Sequence, residues 1–184
     1  MDALVGLRPV EVEVDLAGYT YAIPALPSSD WLTAVLTDGG GQIVPGLLNE
    51  ADRRLVWADF LAGEFTSEEL ATAERDALAA AAGRPWWEAD RLIRSLVAPD
   101  NFATLHGELM LRGLQFDVLS LAAMLNAVYA LVRKMISHDE AALARFDAGL
   151  TAIPPGVAVE ELYDPEEAAN DFLAAMQEQQ SMFG

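Results

Sequence analysis

From Val10 to Ile23 the chain follows a period of two, and after that stretch it turns helical. Val10, Val12, Val14 and Leu16 fall on one side, with Glu11, Glu13 and Asp15 on the other. That alternation describes a strand with one face buried and one in water. Ala17-Gly18 suits a tight turn, and Tyr19-Thr20-Tyr21-Ala22-Ile23 returns as a second strand rich in β-formers. Pro24 and Pro27 then end the pairing, because proline has no N–H to give to a ladder. The expectation is a β-hairpin near residues 9–23. An isolated hairpin is marginal in water, so this one has to pack on helices or add to another chain's sheet.

The remaining segments carry helix signals. Ser28 or Ser29 caps a short helix holding Trp31, Leu32, Val35 and Leu36, and the run Gly39-Gly40-Gly41 breaks it. The run lacks the lysine and spacing of a phosphate-binding loop and reads as a flexible connection. Pro45 opens a helix expected to reach Ala62. Thr66-Ser67-Glu68-Glu69 is a capping box whose helix runs to Ala82, with Gly83 ending it. Pro85 opens the next helix and Pro99 closes it; Asp100 or Asn101 caps another, which Gly113 terminates. The most apolar helix spans about 118–135. Ser137-His138-Asp139-Glu140 reads as a second capping box, for a helix ending near Leu150.

The resulting fold class is mainly α: an N-terminal β-hairpin, a bundle of about six helices, and a C-terminal helix after a Pro-rich linker. Residues 1–27 form the hairpin segment, packed on or extending from the helical domain of residues 28–150. Residues 151–163, with Pro154-Pro155-Gly156, form the linker. Residues 164–184 form the last helix, with Asp164 as its cap. Phe172, Leu173 and Met176 are its apolar residues, set among Glu, Asp and Gln. A helix this polar either moves freely or docks on a partner.

Charge narrows the function. The 184 residues carry a formal net charge of -18, and Lys134 is the only lysine. Phosphate backbones require clustered cations, so no nucleic-acid partner is expected. A decoy of DNA charge would concentrate its carboxylates on one long element, whereas here they are spread over helix faces. An anionic membrane surface would repel the chain, and no segment reads as a targeting signal or a bilayer span. A soluble cytoplasmic protein is the expectation. Yet 53% of the residues are hydrophobic, too many for a disordered acidic protein. Part of that fraction is alanine, as in Ala79 to Ala82; the rest can supply a partner surface kept soluble by charge.

The chemistry-bearing residues do not assemble into a reactive constellation. There is no cysteine, which removes thiol nucleophiles and thiolate metal sites. His106 and His138 lack the spacing of metal ligands, and the carboxylates at Glu64, Glu68, Glu69, Glu166 and Glu167 suit helix N-termini. No enzyme activity, cofactor or metal is expected. Two features remain as binding candidates. The adjacent Trp86 and Trp87 lie about 100° apart on a helix, so either one is core and the other a surface anchor, or both fill a junction. Tryptophan is a favoured anchor of interfaces, which also brings in Trp31; Phe172 and Met176 complete the candidate partner-binding set.

Several segments in order carry a family resemblance: Val12 to Tyr21, Ile23-Pro24-Ala25-Leu26-Pro27 leading to Asp30-Trp31-Leu32, and Val44-Pro45-Gly46-Leu47-Leu48. Gly83-Arg84-Pro85-Trp86-Trp87-Glu88-Ala89, Gly107 to Gly113, and Ala127-Val128-Tyr129-Ala130-Leu131 follow. Through these, over residues 10–150, the chain resembles the tail assembly chaperones of siphophages infecting actinobacteria. The resemblance implies a chain that binds the tape measure protein and helps recruit major tail (tube) protein. It also implies association with copies of itself or with a frameshifted longer form, and absence from the mature virion. It carries no catalytic residues. The alternative expectation is a virion structural protein, a minor tail or connector subunit.

Overall fold

The computed structural model describes residues 8–37 and 42–157. The glycine run at 39–41, the linker beyond Val157 and the expected C-terminal helix, with Phe172 and Met176, lie outside the described residues. The chain divides into two units, Met1–Thr151 and Ala152–Gly184. In the second, the described part turns at Pro154, whose carbonyl accepts from Val157 N–H at 3.3 Å.

The fold is mainly helical with an N-terminal antiparallel hairpin. Strands β1 (Val12–Leu16) and β2 (Tyr19–Ile23) pair in the register Val12 to Ile23, Val14 to Tyr21 and Leu16 to Tyr19. Ala17 and Gly18 both have positive φ, 55° and 79°. That is the backbone of the two-residue turn whose twist matches a hairpin's own. Val12, Val14, Leu16, Tyr21 and Ile23 are buried, and β1 packs on the fourth helix. The hairpin's marginal stability is thus met inside the chain.

Eight helices follow among the described residues: α1 (Ser28–Thr37), α2 (Ile43–Leu47), α3 (Glu50–Ala62), α4 (Ser67–Ala82), α5 (Trp86–Val97), α6 (Pro99–Leu111), α7 (Leu121–Ile136) and α8 (Glu140–Thr151). The capping box is present at α4, with Thr66 Oγ1 accepting from Glu69 N–H and the Glu69 carboxylate accepting from Thr66 N–H. Leu92, Ile93 and Leu96 of α5, Leu105 and Leu109 of α6, and Met124, Leu125 and Val128 of α7 are fully buried and form the centre of the core.

Four local expectations change. The helix foreseen from Pro45 to Ala62 is two helices, because Asn49 accepts from the N–H groups of Ala51 and Asp52 and starts a new one. The Arg53 guanidinium donates to the carbonyls of Pro45, Gly46 and Leu48, satisfying the end of α2 from the first turn of α3. Ser28 is no cap: it is buried, and its N–H and Oγ donate to the carbonyls of Leu119 and Phe116 at 2.8 and 2.9 Å. These bonds tie the start of α1 to the loop before α7. Neither Asp100 nor Asn101 caps α6, which begins directly at Pro99 with Ala98 before it; Asn101 Nδ2 donates back to Ser95 carbonyl. Finally, Asp139 and not Ser137 caps α8, accepting from Ala142 N–H, while Ser137 Oγ donates to Lys134 carbonyl at the end of α7.

Candidate protein-binding site

The tryptophans separate by burial. Trp31 is 2% exposed and Trp87 5% exposed. An indole closed off to this degree serves the interior of the domain, so neither presents a surface in this conformation. The reason is α1's amphipathic spacing at Trp31 and the position of Trp87 on the buried side of α5, beside Ala89, Leu92, Ile93 and Leu96. Trp86 is half-buried. It meets Trp87 edge to face at 5.8 Å, and the Arg75 guanidinium of α4 lies over its ring at 5.1 Å. Arg84, largely buried, reaches Asn126 of α7 and lies 4.0 Å from Glu88. Trp86 is therefore the described candidate that keeps an accessible edge, and the pair fits the junction reading more than the anchor reading.

A concavity lies apart from these tryptophans. An open groove of about 510 Å³ runs between the exit of the hairpin, α1 and the α2–α3 turn. Leu26 and Ala34, half-buried, give it apolar walls over the buried Leu47 and Leu48; Asp30, Thr33, Gln42, Asn49 and Arg53 line it with polar groups. Its volume lies inside the roughly 300–1,000 Å³ span of ligand clefts. Arg53 is committed to three backbone carbonyls, and Asn49 to the α3 cap. What remains for a partner is apolar wall with a polar rim, the composition of a seat for side chains. Residue spacing did not point to this groove, since its walls come from four segments that only the fold brings together.

A second concavity of about 340 Å³ lies between the hairpin turn and α4, bordered by Asp15, Glu68, Glu69 and Asp76. Thr20 Oγ1 donates to Asp15 at 2.6 Å, and Glu69 is taken up by its capping box. The two hydrogen bonds from Thr66 hold the Glu69 carboxyl below the usual carboxylate range. Burial, helped by the negative charge of Asp59, holds the Tyr21 phenol above its usual value. Among the described residues no group of three or more His, Asp or Glu side chains is placed to hold a metal ion. His106 stacks on Phe102 at 5.2 Å and meets Phe116 at a tilt at 5.4 Å, and His138 is exposed in the turn between α7 and α8. No helix among the described residues is long and apolar enough to cross a membrane.

In comparisons with protein-family models, curated proteins and solved structures, nothing matches the chain.

Proposed function

We propose that the chain is a phage tail assembly chaperone, which binds the tape measure protein in the host cytoplasm and helps bring tail tube subunits to it. The observation that carries this reading is the groove between α1 and the α2–α3 turn, with the half-buried Leu26 and Ala34 on its walls and the buried Leu47 and Leu48 beneath them. A groove of this kind suits the apolar face of an amphipathic client helix. The family resemblance over residues 10–150 supplies the identity of the client. The charge of -18 keeps both chaperone and complex in solution. Catalysis has no part in the proposal.

Co-expression with a tape measure protein is the test. The expected result is co-purification of the two chains, lost when Ala34→Arg fills the groove with a charged side chain. Mass spectrometry of purified virions should find the chain missing. Stoichiometric recovery from virions would instead establish the alternative, a minor tail or connector subunit.

A further inference from the structure

The two strands of the hairpin are unequally covered. Next to the two-residue turn, Leu16 and Tyr19 form a pair that exchanges backbone hydrogen bonds, and Val14–Tyr21 and Val12–Ile23 repeat it at every second position. The backbone N–H and C=O groups of Glu13 and Asp15 on β1, and of Thr20 and Ala22 on β2, therefore point away from the ladder. Helix α4 packs along β1, and no helix among the described residues has a comparable contact with β2. Thr20 and Ala22 are exposed, and their outward backbone groups meet no protein partner among the described residues.

An open strand edge is a template for pairing, and proteins usually guard it with lysine, proline, a bulge or an inward-pointing charge. Tyr19-Thr20-Tyr21-Ala22-Ile23 has none of these, although 22% of the chain is charged. Its residues instead favour strands. The carboxylates stand on the neighbouring strand. Glu13 lies across the ladder from Ala22, and Asp15 from Thr20, all on the solvent face. Neither carboxylate is in an ion pair among the described residues. On the opposite face the Tyr19 ring is 60% exposed.

We propose that the β2 edge takes up an extended segment of a different protein as a third strand, bonded to Thr20 and Ala22 and carrying lysine or arginine on its solvent face. The free row of N–H and C=O groups selects an extended chain, since a helix has already paired its own backbone. Pro24 has no N–H to give, so the added ladder ends there and the segment is short. Charge selects the side chains. With strands about 4.8 Å apart, a residue beside Ala22 on the third strand sits about 10 Å from Glu13. Across the small Ala22, a long cationic side chain reaches that unpaired carboxylate. The alternate residues of the segment turn toward Tyr19 and are apolar. A second copy does not fit: it brings a charge of -18 to a face that calls for cations. The inference does not rest on the chaperone reading and uses none of the groove residues.

The probe is a short synthetic peptide in which lysine and valine alternate, titrated calorimetrically into the full-length chain. The expected result is saturable binding that weakens as salt is raised and that slows amide hydrogen exchange at Thr20 and Ala22. Ala22→Pro removes an N–H that the β1–β2 ladder does not use. Its melting temperature should stay close to that of wild type, while the peptide's Kd rises at least about tenfold. Methylating the peptide's own bonding nitrogens should weaken binding to the same degree, and misfolding of the chain cannot produce that loss. Glu13→Lys should weaken binding severalfold, and a peptide alternating glutamate and valine should not bind wild type. Absence of binding to wild type would overturn the proposal. Equal binding by wild type, by Ala22→Pro and by the methylated peptide would reduce the contact to charge attraction and overturn it too. Dimerisation of the chain abolished by Ala22→Pro would assign the edge to a second copy, with the same consequence.

Discussion

Single residues here act mostly by completing helix ends. Thr66 gives its hydroxyl to the first turn of α4 as an acceptor, and Thr66→Ala is expected to cost about 1 kcal/mol, read as a shift in the urea midpoint. Glu69 makes that cap pH-dependent. Its carboxyl is depressed in the folded state by the Thr66 N–H and hydroxyl. The stability it contributes is therefore present above the ordinary glutamate pKa and is lost as pH falls through the lower, folded value. Glu69→Gln keeps a cap that does not titrate. The stability gap between wild type and this variant should shrink in acid, and a gap constant with pH would show that the carboxylate is not engaged. Glu74 is a different kind of residue: 5% exposed, it accepts from Val44 N–H at 3.3 Å and holds the start of α2 against α4. Glu74→Ala should cost about 1–3 kcal/mol by equilibrium unfolding, since it strips a buried N–H of a partner.

At the scale of elements, the hairpin shows both what local sequence specifies and where it falls short. Alternation and the Ala17-Gly18 pair were readable because a half-buried strand leaves a period of two and a tight turn leaves glycine. Ala17, however, sits at φ 55°, a conformation that costs a Cβ-bearing residue roughly 1–2 kcal/mol. Ala17→Asn, which tolerates that region better, is expected to raise the melting temperature; a drop would mean that Ala17 makes a packing contribution. The division of residues 43–62 into α2 and α3 was not legible. Its cause is a competition between continuing the helix through Leu48 and the Asn49 cap together with the Arg53 bonds to α2's last carbonyls. Propensity does not weigh such side-chain bonds. Ser28 is similar: its type says cap, but carbonyls from the loop before α7, 88 residues away, claim its hydroxyl.

For the molecule as a whole, opposing terms are large. The core joins the hairpin and helices α1–α8 in one cluster, and Leu125→Ala at its centre is expected to cost about 2–5 kcal/mol in chemical unfolding. Against this stands the self-repulsion of a net charge of -18. Raising salt from about 0.01 M to 0.15 M shortens the Debye length from roughly 30 to 8 Å. The melting temperature should rise over that range, whereas a fold held mainly by surface ion pairs would lose stability. The visible ion pairs of this chain join exposed or half-exposed partners for the most part, which favours the first outcome.

By itself the sequence determined the class of the fold, the hairpin and its turn, the α4 capping box and the glycines that end α4 and α6. Each is a local matter of side-chain period or backbone permission, settled within a few residues. The tertiary structure alone decided which tryptophans close into the core, how residues 43–62 divide, and that Leu26, Ala34, Leu47 and Leu48 share a groove. Helical period shows that a helix has an apolar side; which side its neighbours cover depends on contacts between residues far apart in the chain, and these leave no mark on local spacing.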